Sequence, residues 1–421
     1  MEIKIADNLK MECEIPLLTV EKFQFEWKTN QHAFLMLQAY IDYRIQYKPE
    51  ELYGSKIKLW LNKNESRIIF FGYLTEIETK HIGETVKVQL KIKSGSIRLD
   101  QQAESRSFQN VGNTYAEIVK QIAKSSGGRV ICTKGADIAI KKPLIQYEET
   151  AWEFCRRLAS HLGTSVIPDI ETGGQSFWFG MRKGNVITGL SEDEYVVETK
   201  RNAFGKVETE YEVESREFHK IGDKTVFCGK EMVICRVLAY FERGELIFRY
   251  LLKEYEVESI IYQNSFAGLG LTGTVLEIQQ EQIKVALDID NGNFTGDYFY
   301  DWYPETGNAL YAMPEIGASI LLYFGDRDER EGFVIHCMPN TINSERKYQS
   351  RYFDTKEGNS LQLYEGSIYF ANNGNHSLSL GDGTVSVRSP GKISVSAQSA
   401  VTLNASRIVI NTPDELDICQ G

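Results

Sequence analysis

The chain has 421 residues and a formal net charge of −11, which excludes an overall basic face of the kind that grips a nucleic-acid backbone. Hydrophobic residues make up 42% and charged residues 25%, the proportions of a chain that builds well-formed cores rather than a disordered or fibrous one. No run of about 18 apolar residues is present to cross a membrane as a helix, and the stretch after Met1 lacks the apolar centre of a secretory signal.

Residues 1–105 alternate apolar and polar side chains. Lys56–Leu61 and Val86–Ile92 do so at period two, with a fuller apolar run over Arg67–Leu74. This pattern predicts antiparallel strands in a first hub β-barrel, and the 22 Tyr and 21 Phe of the chain favour strands generally. Residues 106–195 change texture. Tyr115, Ile118, Val119 and Ile122 recur at helical spacing, and Gly127-Gly128 should stop that helix. A second helix should start at Thr150, with Glu153 as its capping-box partner, and run along Trp152, Cys155, Leu158 and Ala159 to Gly163. With short strands such as Ser176–Phe179, this is a small α+β module. Alternation returns over 196–262, in Thr225–Cys228, Met232–Leu238 and Leu246–Leu252, and predicts a second hub β-barrel. Residues 263–345 hold closely spaced strands between Gly-, Asp- and Asn-rich turns, as in a small barrel of the OB type.

The last segment, 346–421, carries a short repeat. Apolar pairs recur as Leu361 and Leu363, Ile368 and Phe370, Leu378 and Leu380, Val385 and Val387, Ile393 and Val395, Val401 and Leu403, Ile408 and Ile410, and Leu416 and Ile418. Leu361 to Leu416 spans 55 residues in seven steps, so the period is about eight and points to a β-helix or prism rather than a propeller. Each repeat has too little apolar area to close a core alone. Three intertwined chains would bury the pairs on a common axis and leave no strand edge exposed, while a single-chain β-solenoid fits the same spacing. The sixteen residues of these pairs are the candidate trimer core of a needle.

Several stretches, in this order, resemble the valine-glycine repeat (VgrG) spike family of type VI secretion and the related hub and spike proteins of contractile phage tails, R-type bacteriocins and extracellular injection particles. They are Arg98–Gln109, the helix segment Ile145–Leu158 (similar to the family's QY-x-E-(S/T)-x-x-x-F-x-x-R-L), Tyr311–Asp326 with Gly332–Asn340, and Gly358–Leu363. The resemblance implies a mainly β homotrimer. Two similar barrels per chain would give a pseudo-sixfold ring that docks a hexameric tail tube and baseplate proteins, tapering to a threefold needle driven into a target cell envelope. It implies a cytoplasmically made part of a tail-like particle, with a separate protein capping the abrupt end at Cys419–Gly421. Neither a cell-wall hydrolase after the OB segment nor a long C-terminal effector extension is present, which speaks against an enzymatic or cargo role.

The chemical motifs read more plainly as structure. Gly268–Gly273 fits GxGxxG, but a strand-like segment follows where dinucleotide binding needs a helix. Asp288–Asn293 hints at a calcium loop, yet the sixth and twelfth places hold Asn293 and Phe299 instead of Gly and Glu, so a hairpin turn is expected. The His residues (32, 81, 161, 219, 336, 376) show no metal-ligand spacing. His376, the one His of the needle, is expected in a solvated turn. Cys13, Cys132, Cys155, Cys228, Cys235, Cys337 and Cys419 form no CxxC pair and read as reduced core thiols of a protein made in the cytoplasm. Glu148 and Glu149, and the hairpin carboxylates Asp326, Asp328, Glu329 and Glu331, are expected on solvated surface or at subunit contacts. The expectation is therefore a non-enzymatic structural protein with no cofactor and no metal. A tail-associated cell-wall hydrolase and a host-binding adhesin or fibre are the rival readings.

Overall fold

The computed structural model describes residues 2–6, 9–42, 49–63, 65–201, 207–254, 259–294, 296–304, 311–338, 349–381 and 383–418. The expected boundary at 345/346 and Cys419–Gly421 lie outside them. The chain divides into two compact units, 1–340 and 341–421.

In the first unit the chain opens with seven strands, β1 (Glu2–Ala6), β2 (Leu9–Cys13), β3 (Leu17–Lys28), β4 (Phe34–Asp42), β5 (Lys56–Lys63), β6 (Glu65–Ile82) and β7 (Thr85–Ser94), with a short α1 (Pro49–Leu52) before β5. A 3₁₀ turn, Gly95–Asp100, leads to β8 (Ala103–Phe108), α2 (Tyr115–Ser125), β9 (Arg129–Cys132), β10 (Leu144–Thr150), α3 (Ala151–His161), β11 (Val166–Pro168) and β12 (Ser176–Phe179). Then follow β13 (Tyr195–Arg201), β14 (Val207–Ser215), β15 (Lys224–Phe227), β16 (Lys230–Glu242) and β17 (Glu245–Lys253). The unit ends with β18 (Gly270–Gln279), β19 (Gln282–Leu287), β20 (Phe299–Asp301), β21 (Ser319–Tyr323) and β22 (Phe333–Met338).

The alternation of the first segment works as predicted in β7, where Val86, Val88, Leu90 and Ile92 are buried and the residues between them face outward. Each such burial contributes about 1.5–3 kcal/mol. The two hub segments, expected as separate barrels, share a single twelve-strand sheet of order β1-β2-β5-β6-β7-β4-β3-β16-β17-β14-β13, with β15 on β16. The join is β3 on β16, in which Phe25 faces Ala239 and Trp27 faces Val237. All four side chains are buried in one core, which rewards pairing the two halves edge to edge.

The α+β module lies between these halves in the sequence and has its own core on the stripes of its two helices. Thr114 and Thr150 each cap a helix, accepting from the backbone N–H of Glu117 and Glu153, whose side chains reach back to the cap. Both helices end in the same way. Gly127 (φ +72°) and Gly163 (φ +60°) take the left-handed conformation. Gly127 and Gly128 donate to Lys124 and Ala123, and Gly163 and Thr164 donate to Ser160 and Ala159. This is the paired stop that glycine permits.

The last five strands of the unit run in the order β20-β19-β18-β21-β22. A bridge between Trp302 and Val334 joins the two ends, so the sheet closes on the core of Phe266, Val275, Ile283, Tyr300 and Leu322.

In the second unit, β23 (Arg351–Asp354), β24 (Ser360–Leu363), β25 (Ser367–Ala371), β26 (Ser377–Gly381) and β27 (Thr384–Arg388) form an antiparallel meander in chain order. Residues 389–418 carry no strand.

Candidate assembly interface

The strand spacing of the meander is the spacing of the apolar repeat, and its register turns pairs into rows. Leu361 pairs with Phe370, Phe370 with Leu378, and Leu378 with Val387. Leu363 pairs with Ile368, Ile368 with Leu380, and Leu380 with Val385. Residues directly opposite in an antiparallel pair share a face. The first four apolar pairs therefore make two parallel rows on one face of the meander. Phe353, opposite Leu361, extends the first row by one residue that the sequence pattern missed, because β23 breaks the spacing with Arg351 where the second row would continue.

These rows have no cover within the chain. Phe370, Val387, Ile368 and Val385 are exposed, and Leu361, Leu363, Leu378 and Leu380 are only half-buried. Beyond β27 the structure departs from the expected repeat. Ile393 and Val395, Val401 and Leu403, Ile408 and Ile410, and Leu416 and Ile418 were all read as core residues on short strands. In the chain by itself they form neither strand nor core: Val395 is 75% exposed, Ile410 62% and Ile418 88%, and Ile393, Val401, Leu403, Ile408 and Leu416 are exposed with them. The physical reason is the small apolar area of each repeat, which one chain cannot fold over and close. A single-chain solenoid would bury such residues in successive rungs, whereas 389–418 bury no apolar side chain. An apolar surface of this extent on a chain that elsewhere packs its apolar residues well marks an interaction surface.

A second arrangement appears in the first unit, and it corrects the sequence reading of the acidic residues. Glu149 and Glu329, expected on solvated surface, are 5% and 2% exposed, on either side of Arg157, which is 1% exposed. Arg157 Nε and Nη2 donate to Glu149 at 2.9 and 2.7 Å, Nη2 also to the Ile145 carbonyl at 2.8 Å, and Nη1 donates to Glu329. The guanidinium lies against the rings of Phe154, from the module core, and Phe266, from the barrel core. Burial works to lower the guanidinium pKa, but the two carboxylates outweigh it and hold the group above its usual value. Burial pushes the Glu329 carboxyl up, and Arg157 pulls it back. Arg157 is the arginine of the F-x-x-R-L pattern in the α3 segment. Its place three residues after Phe154 on the buried helix face was the signal available in the sequence. The other hairpin acids are shallower: Asp328 pairs with Arg330 at 2.6 Å and Glu331 with Lys142 at 2.6 Å.

The remaining motifs are structural. Gly268–Gly273 runs into strand β18 rather than a helix. Asp288–Asp290 is a 3₁₀ turn ended by left-handed Asn291, and Asp290 accepts from the Ser107 N–H and hydroxyl at 2.6 Å each, joining the barrel to β8. His376 is exposed, in a turn organised by Asn372, which accepts from the N–H groups of Gly374 and His376. His32 links Ser96 (2.8 Å) and Asp100 (2.7 Å) in a Ser–His–Asp string, but Ser96 is fully buried and presents no nucleophile. Among the described residues, Cys13, Cys132, Cys155, Cys228, Cys235 and Cys337 are free thiols. No group of three or more His, Cys, Asp or Glu among them could hold a metal.

Residues 37–187 match the phage tail baseplate hub (GPD) family. Over 77% of its length the chain resembles in fold a type VI secretion component of E. coli, itself described as similar to the T4 bacteriophage tail proteins gp27 and gp5 (TM-score 0.56, 14% identity, 98% of that chain). It also resembles a PdpA–VgrG complex in a lidless form (TM-score 0.58, 10% identity, 88% and 93%) and the lidded Francisella PdpA–VgrG complex (TM-score 0.55, 12% identity, 88% and 76%). No curated protein sequence matches the chain.

Proposed function

We propose that this chain is the structural hub and spike of a contractile, tail-like injection machine and that it works as a homotrimer without catalysing a reaction. The observation that carries the reading is the double apolar row of the second unit, continued by four exposed apolar pairs. In three intertwined chains each layer would bury three copies of a pair, and each large aliphatic side chain so buried contributes about 1.5–3 kcal/mol. The sixteen pair residues, joined by Phe353, are then the trimer core of an intertwined needle. Val395 and Ile410, exposed in the single chain, gain their cover from the two other copies.

On this reading residues 1–105 and 196–262 supply the ring that meets the tail tube and baseplate proteins, 106–195 buttress it, 263–345 act as an OB-type collar, and 346–421 pierce the target envelope. The particle would be a phage-tail-like assembly. The test is the mass of the intact chain in solution by light scattering coupled to size exclusion. Three chains of 48.0 kDa each, eluting early for that mass, are expected. A monomer at every concentration would overturn the trimeric needle.

A further inference from the structure

A cleft of about 470 Å³ opens between the outward face of the hub sheet and the start of α3. Its size is that of an ordinary ligand site. Phe34 and Met36 of β4, the outward side chains that alternate with buried Leu35 and Leu37, supply an apolar floor, and Trp152 of α3 closes one side, its ring tilted against His32 with centroids 4.4 Å apart. The carboxylates around it are already engaged. Glu76 accepts from Lys91 at 2.6 Å, Asp100 from His32 and Thr150, and Glu153 from the N–H of Thr150. Two cations make no direct ion pair, although Arg156 lies near enough to Asp100, and Lys93 to Glu76, to favour the charged carboxylates. Among the described residues Lys93 and Arg156 form no ion pair, and Arg156 Nε is shielded from solvent with no hydrogen-bond partner. A shielded guanidinium N–H left unpaired costs free energy that an incoming acceptor would recover.

We propose that this cleft is a docking site for a peptide segment of a partner protein, one that sets an Asp or Glu carboxylate against Arg156 and Lys93 and a neighbouring aromatic or long aliphatic side chain on Phe34 and Met36. Hydrogen-bond complementarity selects the carboxylate, since each acid of the site already accepts from a neighbour while the donors of Arg156 and Lys93 make no ion pair. The apolar floor selects a side-chain-bearing ligand over a bare inorganic anion, which would leave Phe34 and Met36 uncovered. The inference stands apart from the trimeric needle, because every residue it uses lies in the first unit.

The probe is a random library of short peptides displayed on a surface and selected against the intact chain, with the double variant K93Q/R156Q as counter-target. Enrichment of peptides that combine an acidic with an aromatic or aliphatic residue, binding at least about tenfold more weakly to the double variant, is the expected result. Both substitutions keep most of the side-chain volume at half-buried positions, and an unchanged melting temperature confirms that the variant is folded. No enrichment, enriched peptides lacking a carboxylate, equal binding to the variant, or displacement of the peptides by inorganic phosphate alone would each overturn the proposal.

Discussion

The two units of this chain solve the burial problem in opposite ways. The first unit, 1–340, puts alternate residues of strands such as β7 and β2 into one of three cores and closes its last sheet on itself. The second unit, 341–421, has equally regular apolar spacing, yet its rows of Leu, Ile, Phe and Val stay in solvent or only half covered. Apolar periodicity alone therefore does not say whether a segment folds alone. The amount of apolar area per repeat decides, and two side chains on a strand of four or five residues cannot cover themselves.

Substitutions should break the units separately. The largest effect is expected in the needle. Val401→Asp or Ile408→Asp places three carboxylates in one layer and should reduce the mass in light scattering from three chains to one, while the melting of the first unit is unchanged. A trimer of unaltered melting temperature would end the needle assignment. In the first unit, Arg157→Met leaves Glu149 and Glu329 buried without a partner and should cost about 3–5 kcal/mol in chemical unfolding. Adding Glu149→Gln and Glu329→Gln should return most of it, with no change in oligomeric mass.

Smaller effects sharpen the contrast. Burial, with the neighbouring positive charges of Arg157 and Arg330, holds the His161 imidazole down to about 3, against ~6.5 in an unfolded chain. As the pH falls the unfolded chain takes up this proton first, so the contribution is complete above about pH 6.5 and is lost progressively towards about pH 3. Between about pH 7 and pH 5 the loss is roughly 2 kcal/mol. His161→Gln should flatten that part of the stability profile. Thr114→Ala removes one helix cap and should cost about 1 kcal/mol, read as a shift in the unfolding midpoint. Glu331→Gln breaks only the exposed pair with Lys142 and should cost under about 1 kcal/mol. A larger cost would mean that this rim pair shares in the buried Arg157 joint.

The fold was legible where local chemistry decides it. Thr150 with Glu153, the Gly127 and Gly163 stops, the period-two strands and the strands of the first four apolar pairs all rest on contacts within a few residues, and each is found. What was not legible depends on partners far along the chain or outside it. Nothing near Phe25 or Trp27 announces that β3 pairs with β16, so the join of the two hub segments into one sheet was not legible. Counting charges placed Glu149 and Glu329 on the surface because an acid looks the same whether or not an arginine from another element reaches it. Spacing also gave Val395 and Ile410 the same standing as Leu378 and Leu380. Only the latter two lie on strands of the single chain, because β25 and β27 flank them and nothing flanks the last four pairs. Phe353 joins the uncovered face through its register with Leu361 and not through spacing.

The joint between Arg157 and Glu329 joins residues 172 positions apart, whereas Glu149 is eight positions from Arg157. During synthesis at ~5–20 residues per second, that separation means a wait of roughly 10–30 s between the two partners. Through that interval the nascent α+β module carries its arginine with Nη1 lacking the Glu329 acceptor and its flank against Phe266 unfilled. The module is finished only when the last hairpin of the barrel leaves the ribosome, so the order of translation makes the barrel the step that completes the first unit.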